Sequence, residues 1–95
     1  MPSLRLKGTG WSCAVDESDM TALTTRLRLI GRWSLASGIE DRLKSGSTEM
    51  ALSKEQKRDL LATLKGMRET QTLSTALRRV ADDLESDLCG YDYSY

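Results

Sequence analysis

Between Ser53 and Leu88 the apolar residues recur at helical spacing in two successive stripes. Leu60, Leu64 and Met67 form the first, widened by Leu61, and Leu73, Leu77, Val80, Leu84 and Leu88 form the second. At about 100° per residue, the second stripe stays within an arc of roughly 80°. The pattern predicts two amphipathic helices, Lys54–Glu69 and Leu73–Leu88, parted by a polar break at Thr70–Thr72. Two such helices with a short connection pack antiparallel, stripe on stripe. Ser53 followed three residues later by Gln56 has the form of a capping box and marks the sharpest boundary in the chain.

Ahead of this pair the periodicity shortens. Leu4–Lys7 and Trp11–Val15 alternate apolar and polar residues around Gly8-Thr9-Gly10, which predicts a β-hairpin with Leu4 and Leu6, then Trp11, Cys13 and Val15, on shared faces. Thr48–Leu52 alternates in the same way and supplies a third strand. Asp16-Glu17-Ser18-Asp19 reads as a helix start capped by Ser18 or Asp19. The helix that follows, Asp19–Ala36, has one stripe of Met20, Leu23, Leu27 and Ile30 and another, nearly opposite, of Ala22, Leu29, Trp33 and Ala36. Alternation over Thr24–Leu29, with Gly31 as a turn, offers a second hairpin as the rival reading. The length and the start signal favour the helix. Gly38 ends or bends it, Ile39–Lys44 adds one or two helical turns, and Ser45-Gly46-Ser47 is a turn.

The expected fold is therefore α+β: a small antiparallel sheet, made of the amino-terminal hairpin and one short strand, packed on about three α-helices and ending in an antiparallel helical pair. Residues 1–90 form one compact domain, and 91–95 a flexible, tyrosine-rich acidic tail.

Composition narrows the function classes. Lysine plus arginine and aspartate plus glutamate each number 14, giving a formal net charge of +0. That weighs against general polyanion binding. The charges are unevenly spread, with bases prevailing over Lys54–Arg79 and acids alone after Val80 (Asp82, Asp83, Glu85, Asp87, Asp92). Cys13 and Cys89 lie far apart, outside any metal-binding or dithiol spacing. No secretory leader or membrane-length apolar run is legible, so a cytoplasmic chain with reduced thiols is expected; a Cys13–Cys89 disulfide stays open.

Histidine is absent, which removes the usual nucleophile–base pairs and most zinc sites. The glycines at 8 and 10 have neither P-loop nor dinucleotide-binding spacing. Asp83 and Asp87, one helical turn apart, would face a divalent ion only with further oxygen ligands that the sequence does not supply. Cys13 lacks a neighbouring base and reads as a packed strand residue. Trp11-Ser12-Cys13 and Trp33-Ser34-Leu35 both lack the glycine of a Trp-x-Gly helical turn, and the chain carries no family resemblance.

What remains is surface. Leu29 and Trp33, rimmed by Arg26 and Arg32, have the composition of an interface centre, the rival reading being that this face packs beneath the hairpin sheet with Trp33 in the core. The expectation is a non-enzymatic, cofactor-free protein-binding module, an adaptor or stoichiometric inhibitor of the kind carried by phages or mobile elements. Its partner is a protein, with homodimerisation the simplest use of the second apolar face. The alternative is a small nucleic-acid-binding regulator using Arg5, Lys7, Arg26, Arg28 and Arg32, with a tryptophan for stacking.

Overall fold

The computed structural model describes residues 3–92, with side chains described as far as Leu88. The elements in order are β1 (Ser3–Gly8), β2 (Trp11–Asp16), α1 (Glu17–Leu29), α2 (Trp33–Lys44), β3 (Glu49–Ala51), α3 (Lys54–Thr70) and α4 (Thr75–Asp92). The α+β class and the closing helical pair are as the sequence predicts.

The hairpin pairs Leu4 with Val15, Leu6 with Cys13 and Gly8 with Trp11. Leu4, Leu6, Val15 and Met50 leave the inner face of the sheet and join α-helical leucines in a single core, while Arg5, Lys7, Ser12 and Ala14 face outward. The stripes on α3 and α4 are buried as expected: Leu60, Leu64, Met67, Leu77, Val80 and Leu84 are all nearly or fully enclosed. Both bonds of the capping box form, Gln56 N donating to Ser53 Oγ at 3.2 Å and Ser53 N to Gln56 Oε1 at 2.9 Å. At α1 the cap is Asp16 rather than Ser18 or Asp19, with Asp19 N donating to Asp16 Oδ1 at 2.9 Å.

Two expectations fail together, and for one reason. The long helix Asp19–Ala36 is two helices, because the chain turns at Gly31, whose φ is +82°. Arg32 N donates to Leu27 O (2.8 Å) and Gly31 N to Arg28 O (3.1 Å), the paired bonds of a Schellman ending with glycine in the left-handed conformation. Gly38, expected to end or bend the helix, lies inside α2. The tight turn folds α2 back on α1, so the chain returns to the end of the sheet from which α1 left. β3 therefore starts beside the beginning of β1 and runs parallel to it, Leu6 against Met50, and the sheet is mixed, in the order β2-β1-β3. A straight helix would have delivered the chain to the far end and made the third strand antiparallel.

At its end α4 continues past Gly90, where the sequence suggests a stop, to Asp92. The rest of the expected tail, 93–95, lies outside the described residues, as does the side chain of Cys89. Cys13 carries a free thiol. Among the described residues no helix is long and apolar enough to cross a membrane.

Candidate protein-binding surface

The Gly31 turn decides which apolar residues reach the core. Leu29 and Ile30 close α1 and Trp33 opens α2, so all three fall on the outside of the corner. Leu29 is 75%, Ile30 46% and Trp33 60% exposed, the large apolar side chains most open to solvent among the described residues. Of the second face expected on a continuous helix, Leu29 and Trp33 do point outward. Ala36 is instead fully buried, because α2 has rotated it into the core, and Ile30 leaves its expected core stripe to join the patch.

Charged residues surround this corner in pairs. Arg28 bonds Glu40, and its guanidinium lies over the Trp33 ring, 6.0 Å from the centroid. Arg32 Nη1 is 3.1 Å from Asp59 Oδ1. Arg26 reaches across to donate to Thr70 Oγ1. Beside Leu29, a shallow groove of about 380 Å³ runs between α1 and α3, past Ala22 and Met67. An apolar centre within a polar rim is a composition common at protein interfaces.

The five cations of the alternative reading do not form one patch. Arg5 and Lys7 lie on the outer face of the sheet, where Lys7 Nζ meets Glu49 Oε2 at 3.2 Å. Arg26, Arg28 and Arg32 cluster at the α1–α2 corner, two of them already ion-paired.

A second polar cluster was not legible in the sequence. Asp87 Oδ2 accepts from Trp11 Nε1 (2.7 Å) and Thr9 N (3.0 Å) and lies 3.0 Å from Lys57 Nζ, which also donates to Thr9 Oγ1 at 3.1 Å. The Lys57 and Asp87 side chains are 4% and 1% exposed. Burial works to raise the Asp87 pKa, but bonds from Trp11, Thr9 and Lys57, with the lysine charge, outweigh it and hold the carboxyl below its ordinary value. Asp87 thus turns inward, away from the metal-facing role that its spacing from Asp83 allowed. One clue was available: a lysine at position 57, where the stripe of α3 continues one turn back from Leu60 and Leu61. Nothing local names its partner thirty positions on.

Cys13 sits under β2, its thiol pushed up in pKa chiefly by burial. Asp83 adds to the shift, while Arg79 and Arg5 pull the other way. The residue is 8% exposed and its thiol packs against the start of α4, Sγ lying 3.9 Å from Ala76 O. Comparison of the chain with protein-family models, with curated proteins and with solved structures finds no match.

Proposed function

We propose that this chain is a non-enzymatic protein-binding module, an adaptor or stoichiometric inhibitor acting in the cytoplasm, whose working surface is the Leu29–Ile30–Trp33 corner. The observation that supports the reading is the joint exposure of these three side chains, while the other large aliphatic side chains among the described residues are buried or partly buried. Each is worth about 1.5–3 kcal/mol when an apolar side chain of this size is fully removed from water. The simplest occupant is a second copy. The rim carries Arg26, Arg28 and Arg32 together with Glu40 and Asp59, so a two-fold contact sets arginines of one copy against carboxylates of the other.

Light scattering across a concentration series tests this directly. The chain should associate, and Trp33→Ala should weaken association while leaving the helical circular-dichroism signal unchanged. A monomer at every concentration would remove the homodimer. Steeply salt-dependent retention of DNA or RNA, abolished by changing Arg26, Arg28 and Arg32, would replace the proposal with the nucleic-acid alternative.

A further inference from the structure

The sheet has a second open feature, on the side away from β3. β2 lies at the edge of the sheet, and its register with β1 fixes which backbone groups are free. On β1, Arg5 N donates to Thr48 O and Lys7 O accepts from Leu52 N, so both groups point toward β3 and away from β2. In an antiparallel ladder the residues opposite them then point outward as well. These are Ala14, across from Arg5, and Ser12, across from Lys7. Their N–H and C=O groups therefore line the outer edge, where the Ala14 carbonyl accepts a long bond from the Cys13 thiol at 3.8 Å.

Natural edge strands are usually guarded by proline, a bulge, a charged side chain or great shortness. β2 is six residues long, and its middle presents only the small, exposed side chains of Ser12 and Ala14. Between this edge and the first turn of α4 runs a groove of about 530 Å³, bordered by Thr75 and Ala76 and flanked by two arginines. Arg5 leans over β2 from the outer face, its Nη1 donating to Ser12 Oγ at 3.3 Å, and so carries its remaining donors toward the edge. Arg79 stands on the groove side. Of the nearby acids, Asp16 is engaged as the cap of α1, and Asp83 lies one turn further along α4.

We propose that the free edge of β2 receives an extended acidic peptide segment of a partner protein as a fourth strand. Ser12 and Ala14 supply the ladder bonds, and Arg5 and Arg79 meet carboxylates on the two faces of the added strand. This surface is separate from the Leu29–Trp33 corner and does not depend on it.

The probe is a fluorescein-labelled peptide of Glu-Glu-Val-Val repeats, which sets carboxylates on both faces of an extended strand, followed by anisotropy against the full chain. Binding should weaken about ten-fold when Arg5→Glu and Arg79→Glu are combined, as two charge-assisted contacts are lost. Ala14→Pro should weaken it too, since proline removes an edge N–H without touching the bonds to β1. Unchanged circular dichroism identifies variants that still fold, and the arginine pair is testable even if the proline variant is not. Trp33→Ala should leave peptide binding as it was. The proposal fails if the glutamate peptide is not bound, or if a lysine-for-glutamate or backbone N-methylated version binds as well. It also fails if the free chain is a dimer that Ala14→Pro converts to monomer, because a second copy then occupies the edge.

Discussion

Lys57 Nζ and Asp87 Oδ2 lie 3.0 Å apart with both side chains all but removed from water. The pair joins α3 to α4, and through Thr9 and Trp11 it pins the hairpin turn to both. Asp87→Asn keeps the shape but leaves a buried lysine without its counter-charge. The expected loss is about 3–5 kcal/mol of stability, read from urea unfolding. Combining it with Lys57→Met should cost less than the sum of the two single changes, by about 1–3 kcal/mol. Strict additivity would mean that the two charges do not feel one another.

The same carboxylate sets an acid limit. Its pKa is lowered in the folded chain, so its contribution is complete above the unfolded aspartate value of about 3.9 and disappears as pH falls through the folded one. Urea midpoints should therefore drop below about pH 4 in the parent chain and drop less steeply in Asp87→Asn. Equal slopes would assign the acid sensitivity to other carboxylates.

Cys13 makes the opposite prediction at the alkaline end. Its raised pKa, due first to burial, means that stability is intact below about pH 8.5 and declines above it, as the unfolded chain releases a proton that the folded chain keeps. In a Cys89→Ser background the remaining thiol should react with Ellman's reagent slowly, at a rate that rises with urea. Prompt labelling in native buffer would contradict the enclosure of the thiol.

Two glycines should respond in opposite senses to alanine. A Cβ at Gly8 would stand 2.1 Å from Trp11 Nε1 and 2.6 Å from Asp87 Oδ2. The indole must move off its acceptor, at a cost of about 1–3 kcal/mol. A Cβ at Gly66 meets nothing within 4 Å on the helix α3, where alanine should add about 0.4–1 kcal/mol. Thermal unfolding of the two variants checks both signs.

The tryptophans report on different places. Trp33 is open to solvent, whereas the Trp11 indole N–H is bound to a buried carboxylate. Acrylamide should quench Trp33 readily and Trp11 weakly in single-tryptophan variants. If the corner is the contact, Trp33 quenching should diminish as the chain is concentrated and Trp11 quenching should not change.

Elements whose pattern is local were legible in the sequence. The hairpin, the capping box and the stripes of α3 and α4 each depend on neighbours within a few residues, and all appear where periodicity puts them. The α1–α2 corner was misread because two glycines compete as helix stops, and apolar period alone does not say which adopts positive φ. Gly31 won, and its choice carried the direction of β3 with it. A two-faced helix left open whether Leu29 and Trp33 were core or surface; that helix does not exist, and the turn at Gly31 exposes both. The Lys57–Asp87 tie and the β2 edge were invisible for a different reason. Both follow from contacts between residues remote in sequence, and each looked locally like an ordinary solvated charge or a paired strand.

Thr9 is held by a side chain 78 positions later in the chain. During synthesis the first hairpin emerges long before the residue that fastens its turn, so that turn stays without this bond until α4 is made. Closing so wide a loop is slow relative to forming helices. A protease that nicks the last turns of α4 should for the same reason unlatch the strands at the opposite end of the chain.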